Sequence, residues 1–429
     1  MVNTQAKTKC IFTGGGTTGH VTKNLIVMEA LKKQRSEMEF HYIGSKMGKE
    51  GELIVSDAIN RVPTAVFHPI STGKLRRYFS LETIPDFFKF LAGIWQSFFL
   101  LHHLQPKLIF SSGGYVALPV CIAAWLRGIP IVTHETDSYP GMANRLIGRM
   151  AKKVLLGYES AAEYFNPNKV VVTGNPVSPK LLEGSRERGL KKLGFDPNKK
   201  TILFMGGSQG AEEINGLVAE ILPQLLKEWQ VVHLTGGGGK PATSNQQPAY
   251  RPFSYVTTDY ADFLASADLV VSRAGGNSIA EIEALGKKAI LIPLPLPAAA
   301  GDHQRKNAVE VARRAVRSAG ACEAGSEAQD SEAEISEKIS AKESEVPIEE
   351  MLKKMPRWRM LEKPSAKELL EAIQDLSATL ANPLAGPPPA KGGQVAGGGR
   401  TPNLHPLARG LGGLATEKIV NIITVLLSS

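Results

Sequence analysis

Short apolar runs alternate with amphipathic stretches along the first 300 residues of the chain. The runs have the length of buried strands, and the stretches between them repeat apolar positions every three or four residues, as helices do. In residues 21–34, for example, Val21, Leu25, Met28 and Leu31 fall on one helical face. The predicted strands are residues 9–12, 40–43, 64–68, 108–110, 129–133, 153–156, 170–173, 201–205, 231–234, 269–272 and 289–292. This alternation predicts an α/β protein with doubly wound parallel sheets.

Four of the predicted strands run directly into glycine-rich turns. The turns are TGGGTTGH at residues 13–20, SSGGY at 111–115, GGSQG at 206–210 and RAGG at 273–276. Such a turn, between the end of a strand and the start of a helix, presents free amides and the positive end of a helix dipole to an anion. The stretch from 267 to 307 therefore predicts a site for a nucleotide diphosphate. A purely structural alternative also fits, because Ser278 followed by Glu281 has the spacing of a capping box.

Two halves of the chain open with the same strand, glycine turn and helix. This repetition predicts two Rossmann-like domains that face each other across a cleft. The predicted parts are an N-terminal domain at 1–178, an interdomain link at 179–200, a C-terminal nucleotide-binding domain at 201–380 with an acidic insertion at 322–350, a Pro/Gly-rich flexible segment at 381–413, and a helix at 414–429 that packs back.

Composition narrows the class of partner. The net charge of +9 favours an acidic partner, and the absence of a basic run interleaved with aromatic residues argues against nucleic acid. Anionic lipid or a phosphorylated substrate remains. The three cysteines are scattered without a CxxC pair, and no apolar signal core precedes the first glycine turn. We therefore expect reduced thiols and a cytoplasmic protein.

One apolar segment raises the question of a membrane. Residues 87–101 are shorter than the roughly 20 residues that a bilayer span needs, and Lys89 and Gln96 interrupt them. With the basic residues at 74–77, the segment could rest on anionic lipid. The alternative is a buried helix followed by a solvated basic loop.

Two histidines are candidates for proton transfer. His20 falls at the predicted start of a helix, where the dipole lowers the imidazole pKa and keeps the ring able to accept a proton. Its structural alternative is a polar residue that closes the turn. His134 is the second candidate, since it opens a polar cluster, His-Glu-Thr-Asp, at the end of a predicted strand. No Asp-x-Asp pair, the usual carboxylate motif for a metal-bound nucleotide sugar, occurs in the sequence.

The motifs occur together in a recognisable order. They are the glycine turn with His20, SGGYV at 112–116, His134-Glu135, GNP at 174–176, GGSQG at 206–210, RAG at 273–275 with Glu281, and His303-Gln304 with Asn307. Over residues 9–308 the chain resembles the MurG family, the UDP-N-acetylglucosamine transferases that convert lipid I to lipid II in peptidoglycan synthesis.

The resemblance implies a fold, a reaction and a location. It implies a GT-B glycosyltransferase that moves N-acetylglucosamine from UDP-N-acetylglucosamine to the 4-hydroxyl of MurNAc in undecaprenyl-linked lipid I. We expect inversion at the anomeric carbon and neither an essential metal nor a cofactor, with helix ends and turn amides stabilising the UDP leaving group. The enzyme would sit peripherally on the cytoplasmic face of the plasma membrane, against its anionic surface.

The resemblance also assigns roles to residues. In the C-terminal half, Ser208 and Gln209 would contact the diphosphate, and Glu281 the ribose. The remaining donor-binding positions are Thr17, Thr18, Gly19, Asp137 and Ser178 in the N-terminal half, Gly276, Asn277 and Ser278 for the nucleotide, and Gln304 for the sugar. Tyr115 and Glu135 would line the acceptor side, with His20 and His134 as the candidate bases.

The chain departs from the family pattern at four of its motif positions. Thr18 replaces a usual glycine, Lys23 a frequent proline, Asp137 a usual asparagine and Ser178 a frequent arginine. Asp137 and Ser178 favour a rival prediction, a related GT-B enzyme that transfers a sugar from UDP to another lipid or small acceptor. A third prediction is a low-turnover, UDP-sugar-binding scaffold at the membrane.

Overall fold

The structure is a computed structural model. It describes residues 7–16, 18–46, 65–73, 83–207, 210–237, 247–295, 301–324, 357–379 and 406–428, with the backbone alone described at 18, 83, 301, 315–324 and 406–413. Contacts divide the chain into two compact units. Unit 1 comprises Met1–Ser178 with Leu411–Ser429, and unit 2 comprises Pro179–Gly410.

Unit 1 contains a seven-stranded sheet in which every pairing is parallel. In chain order the strands are β1 (Lys9–Thr13), β2 (Glu39–Ser45), β3 (Val66–Ile70), β4 (Leu108–Ser111), β5 (Ile131–Glu135), β6 (Lys153–Leu156) and β7 (Val170–Val172). In space they lie in the order β3-β2-β1-β4-β5-β6-β7. The chain reverses direction across the sheet between β1 and β4, and ligands of such sheets bind at this switch point.

Helices cover both faces of this sheet. They are α1 (Thr18–Gln34), α2 (Thr83–Leu104), α3 (Ala117–Leu126) and α4 (Met142–Met150), with 3-10 turns at Glu159–Tyr164 and Pro167–Lys169. Because successive strand residues point to opposite faces, β1 supplies Phe12 to the core that includes Leu25 of α1, and Ile11 to the core that includes Val120 of α3. Both faces are thereby apolar, as a buried parallel sheet requires.

The last helix of the chain packs onto unit 1. Helix α12 (Pro406–Ser428) buries Ile419, Val420 and Ile423 in the same core cluster as Phe12 and Leu25. The chain thus returns to unit 1, and this apolar contact fastens it there.

Unit 2 repeats the same architecture with six parallel strands. The strands are β8 (Lys200–Met205), β9 (Trp229–Leu234), β10 (Tyr250–Phe253), β11 (Leu269–Ser272), β12 (Lys288–Leu291) and β13 (Trp358–Met360). Their spatial order is β10-β9-β8-β11-β12-β13, with the switch point between β8 and β11. The helices are α5 (Pro179–Leu182), α6 (Arg186–Leu193), α7 (Glu212–Leu225), α8 (Tyr260–Ser266), α9 (Gly276–Ala284), α10 (Gly301–Ala324) and α11 (Ala366–Ala378).

The segment at 179–200, which the sequence assigns to a link, packs within unit 2. It forms α5 and α6, and Asp262 on α8 accepts hydrogen bonds from Arg188, Lys192 and the backbone amide of Ser185. These donors hold the pKa of Asp262 at about 2, against the desolvation that would raise it. Two polar contacts and a close backbone approach at Gly189 therefore join α6 to α8.

Two strands and one capping interaction differ from the sequence-based expectation. Strand β10 was missed because Pro252 interrupts its pattern, and β13 because it is only three residues long and lies beyond the acidic insertion. The structural alternative for this stretch, a capping box formed by Ser278 and Glu281, is wrong. Helix α9 begins at Gly276, its N-cap is Gly275, and no side chain caps it.

Helix α2 is longer than the apolar segment 87–101. From that segment the sequence predicted a helix too short to span a bilayer. Its window Ile84–Leu104 has 21 residues and a mean hydropathy of 1.2, so by length and composition alone it is sufficient to cross a membrane. Only 22% of that window is buried inside the protein. Its buried face, which includes Ser97 and Leu101, packs against α3, and Gln96 accepts a hydrogen bond from the amide of Ser71.

The packing of α12 onto unit 1 can be tested at one position. Replacing Ile423, which is fully buried, with alanine removes core contacts and should lower the free energy of unfolding by about 2–5 kcal/mol. Val425 on the same helix is 67% exposed, so Val425→Ala should change it by less than about 0.5 kcal/mol. Urea unfolding of the full chain measures the free energy of unfolding of both variants, and equal losses would contradict the burial of Ile423 in the unit 1 core.

Candidate active site

In unit 1 two glycine turns meet at the switch point. The amide of Ser112, after β4, donates to the carbonyl of Thr13, at the end of β1, over 2.9 Å. Gly114 has a φ of +83°, and a Cβ there would lie 2.4 Å from the Gly15 carbonyl oxygen. Only glycine fits such an approach. The turns therefore sit against each other and against the start of α1.

His20 lies in the first turn of α1, beside this contact. Its side chain is partly exposed, and its ring lies against Gly114. Desolvation and the nearby charge of Lys23 lower the pKa of His20 to about 3, while a hydrogen bond to the Ser112 backbone opposes the change. The ring is therefore neutral at pH 7. A neutral imidazole that donates through one nitrogen presents the other as a proton acceptor.

His134 lies on β5 and is fully buried. Its Nδ1 is 3.2 Å from the Lys23 ammonium, and its Nε2 is 3.0 Å from the Gly174 carbonyl oxygen. Desolvation, with a further contribution from Lys23, lowers the pKa of His134 well below its usual value. Both ring nitrogens are engaged within the protein, so this arrangement leaves neither for a substrate proton.

Glu135 ends β5 with both carboxylate oxygens engaged. Its Oε1 accepts from the amides of Thr136 and Asp137 at 2.8 and 2.9 Å, and its Oε2 accepts from Asn144 on α4 at 2.7 Å. Burial, followed by the charge of Asp137, raises the pKa of Glu135 to about 7. The carboxylate orders the loop that carries Asp137, whose own side chain is partly exposed.

The other residues that the sequence assigns to unit 1 are spread around the same edge. The Tyr115 ring lies over Gly16, where a Cβ would come within 2.7 Å of it. Gly19 is in the first turn of α1, where Thr18 is described by its backbone alone and Thr17 lies outside the described residues. Ser178 ends unit 1, and its hydroxyl is shielded from solvent without a hydrogen-bond partner among the described residues.

In unit 2 the turn after β8 leads into α7. Gly210 has a φ of +80°, and a Cβ there would be 2.5 Å from the Thr235 carbonyl oxygen. The turn therefore passes close to the end of β9, as it must to present its amides near the helix start. The two residues predicted to touch the diphosphate, Ser208 and Gln209, lie outside the described residues.

Helix α9 carries the predicted nucleotide contacts on the other side of this switch point. Gly276 is buried at its start, Asn277 and Ser278 are partly exposed in its first turn, and Glu281 lies one turn further on. The Tyr260 hydroxyl donates to Glu281 Oε2 over 2.7 Å. Desolvation raises the pKa of Glu281 to about 7, and the hydrogen bond from Tyr260 opposes this rise.

Side chains from α10 and from the turn after β11 lie at the same carboxyl edge of the unit 2 sheet. Gln304 Oε1 accepts from the amide of Leu294, and Asn307, which is fully buried, donates to the carbonyl of Ala274. Arg273 bonds the carbonyls of Ile292 and Pro293, which follow β12, and pairs with Glu213 of α7. These contacts fix the ends of β11 and β12 and the start of α7.

Sequence reasoning missed three residues of these sites. Lys23 was noted only as a departure, although its spacing of three from His20 places both on one face of α1. Asn144 and Tyr260 carry no motif, and their roles depend on tertiary contacts with Glu135 and Glu281. Within the described part of the chain, no group of three or more His, Cys, Asp or Glu side chains is placed to hold a metal ion.

Family comparisons match both units. The glycosyltransferase family 28 N-terminal domain matches residues 10–156, and the glycosyltransferase family 28 C-terminal domain matches residues 201–370. The chain is 43% identical over 294 residues to "UDP-N-acetylglucosamine--N-acetylmuramyl-(pentapeptide) pyrophosphoryl-undecaprenol N-acetylglucosamine transferase 2" of Bacillus cereus, covering 68% of this chain and 81% of the relative. A Legionella pneumophila transferase named in the same way is 43% identical over 293 residues, covering 68% and 78%.

A solved structure supports the same fold. Acinetobacter baumannii MurG superposes with a TM-score of 0.59 over 97% of this chain and 99% of that chain, at 21% identity. The two parallel sheets are thus the two Rossmann-like domains typical of the GT-B fold. The chain belongs to glycosyltransferase family 28 and, within it, to the MurG family of N-acetylglucosamine transferases.

Proposed function

We propose that the chain transfers N-acetylglucosamine from UDP-N-acetylglucosamine to the 4-hydroxyl of MurNAc in lipid I, giving lipid II for peptidoglycan synthesis. The observation that carries this proposal is the 43% identity to relatives named for that transfer, extending over about four fifths of their length. Two switch points lined by glycine turns supply a physical basis for holding a sugar nucleotide.

In this proposal unit 2 holds most of the donor. The starts of α7 and α9 present amides and positive dipole ends to the diphosphate and nucleotide, near Ser208, Gln209 and Gly276. Glu281 accepts hydrogen bonds from the ribose hydroxyls, and Tyr260 orients its carboxylate. Gln304, on α10, contacts the sugar.

His20 is the proposed base. As the acceptor hydroxyl attacks the anomeric carbon, its proton passes to His20, a carbon–oxygen bond to the acceptor forms, and the bond to UDP breaks. One in-line displacement inverts the anomeric centre. His20 suits this role because it is neutral and partly exposed, whereas both nitrogens of His134 are already engaged. Glu135 orders the acceptor side through its loop.

We also propose that unit 1 rests on an anionic membrane surface through helix α2. One face of this helix is exposed and apolar, with Ile84, Phe87, Phe88, Leu91, Trp95 and Phe99 between 44% and 67% exposed. An acceptor attached to undecaprenol, as in the relatives' names, is itself held in a membrane. Aromatic side chains on such a face favour the lipid interface. The basic residues at 74–77 lie outside the described residues.

A transfer assay in the presence of EDTA tests the proposed function. Purified protein with UDP-N-acetylglucosamine and a lipid I analogue should form the lipid II analogue, and EDTA should not stop it. Transfer only to other acceptors would support a related GT-B enzyme, and donor binding without transfer would support a scaffold. Loss of transfer in EDTA that Mg²⁺ restores would contradict the metal-independent mechanism.

The His20→Ala variant should lose turnover by on the order of a hundredfold or more, because general-base catalysis contributes at least that much. Lys33→Ala is the matched control, since Lys33 lies on the same helix as His20 but in its last turn, with a side chain that is 67% exposed. Steady-state kinetics of both variants measure the effect. Unchanged turnover in His20→Ala would exclude it as the base.

Binding of UDP-N-acetylglucosamine should strengthen as pH rises between about 6 and 8, because ionised Glu281 accepts better and its pKa is about 7. Tyr260→Phe removes the hydrogen bond that lowers this pKa, so the midpoint should move to higher pH. Calorimetric titration across this range measures it. Glu281→Gln should abolish the dependence, and a dependence that persists in that variant would contradict the assignment.

Replacing Trp95, which is 67% exposed on α2, with serine should reduce sedimentation of the protein with anionic liposomes several-fold. Val425→Ser changes an equally exposed apolar residue on α12 and serves as the control. Equal binding by the two variants would place the membrane contact elsewhere. Loss of binding in high salt would show the contribution of basic residues.

A further inference from the structure

A lysine is buried at the centre of the unit 1 site. Lys23 is 1% exposed, and its ammonium contacts Nδ1 and the carbonyl oxygen of His134, each at 3.2 Å, and the Ser112 carbonyl oxygen at 3.5 Å. It also donates to the hydroxyl of Thr136. A lysine is rarely buried this deeply unless its charge is compensated. The family resemblance assigns it no role, because Lys23 stands where the family often has proline.

Lys23 and the Gly174 carbonyl together determine which tautomer His134 adopts. A charged ammonium has only donors, so His134 Nδ1 must accept from it. The ring proton is then on Nε2, which donates to the Gly174 carbonyl oxygen over 3.0 Å. A second proton on Nδ1 would point at the ammonium. Lys23 therefore holds the ring neutral and fixed between β5 and the turn at Gly174.

The charge of Lys23 opposes a second proton on His134. Desolvation, followed by the charge of Lys23, lowers the pKa of His134 well below its usual value, and the same two causes lower the pKa of His20. Glu135 and Asp137 face the lysine from β5 and its following loop. Desolvation lowers the pKa of Lys23 to about 8, while these carboxylates oppose the change, so the ammonium is mainly charged at pH 7.

We propose that Lys23 is a positioning residue of this site, which, together with the Gly174 carbonyl, holds His134 as the neutral Nε2–H tautomer and excludes a second proton from Nδ1. Without the lysine, Nδ1 would lose its donor, and the carboxylates of Glu135 and Asp137 would favour a protonated imidazole. The step from His134 protonation to turnover rests on the proposed function. The tautomer and the protonation state do not.

The tautomer can be measured in the unaltered protein. Nitrogen-15 chemical shifts of labelled histidine distinguish a protonated from a bare ring nitrogen, and a His134→Gln variant assigns the signals. We expect His134 to carry its proton on Nε2 with a bare Nδ1. A proton on Nδ1 at neutral pH would overturn the proposal without any change to Lys23.

Variants separate the hydrogen bond from the charge. Lys23→Met has a similar length but neither donor nor charge, so His134 should keep its Nε2 proton on the Gly174 carbonyl and gain a second proton on Nδ1, with a titration midpoint higher by one pH unit or more. Lys23→Gln keeps a donor and removes the charge, so it should keep Nδ1 bare and raise the His134 midpoint less. Lys33→Met, at a 67% exposed position on α1, should change neither.

Kinetics supply the second readout. In Lys23→Met, kcat/KM should fall below the new His134 midpoint, where the ring is doubly protonated, whereas a merely structural loss lowers kcat/KM equally at all pH values. An unchanged His134 midpoint in Lys23→Met would overturn the proposal. If the histidines behave as expected but no sugar is transferred under any condition, the proposed function fails and the role of Lys23 in the site stands.

Discussion

The close approach of two backbone turns at the carboxyl edge of each sheet is the constraint on which both sites depend. In unit 1 the turn after β1 touches the turn after β4, and glycine at 114 is required because a side chain would meet the Gly15 carbonyl. This contact sets where α1 begins and therefore where His20 and Lys23 point. A larger residue at 114 would have to displace the Gly15 carbonyl and so separate the two turns.

Unit 2 meets the same constraint with different side chains. Gly210 passes close to the end of β9, and Arg273 ties the ends of β11 and β12 to α7. Each site also contains a carboxylate whose pKa burial raises to about 7, Glu135 in unit 1 and Glu281 in unit 2. The hydrogen-bond donors around each carboxylate favour the ionised form, which is the form that orders a loop or accepts from a ligand hydroxyl.

Sequence patterns predicted the fold well because a parallel sheet buried on both faces leaves continuous apolar runs and glycine turns. Strand β11 coincides with its expected residues, and α1 differs only by its first turn. The failures have local causes. Pro252 interrupts β10, and the Ser278–Glu281 spacing matched a capping box although the glutamate bonds Tyr260 instead. Such tertiary partners have no signature in a single sequence.

The site side chains were predicted less completely than the turns, because a motif gives residue identity but not hydrogen-bond partners. From the sequence His20 was the first candidate, at the start of a helix, and His134 the second, at the end of a strand. The structure separates them by solvent access and partners: one ring is partly exposed in the first helical turn, and the other is enclosed with both nitrogens engaged. One of the two partners of His134 is Lys23, which no motif contains.

Charge balance explains why a buried lysine is tolerated in this position. Glu135 and Asp137 lie close together at the end of β5, and Asp137 raises the pKa of Glu135 as a like charge does. The positive charge of Lys23 relieves this repulsion between the two carboxylates. Its attraction to both carboxylates offsets part of the cost of desolvating the ammonium. Lys23 therefore favours the ionised form of Glu135, and the two acids favour the charged ammonium. The neutral histidines lie beside this cluster and add no further charge to it.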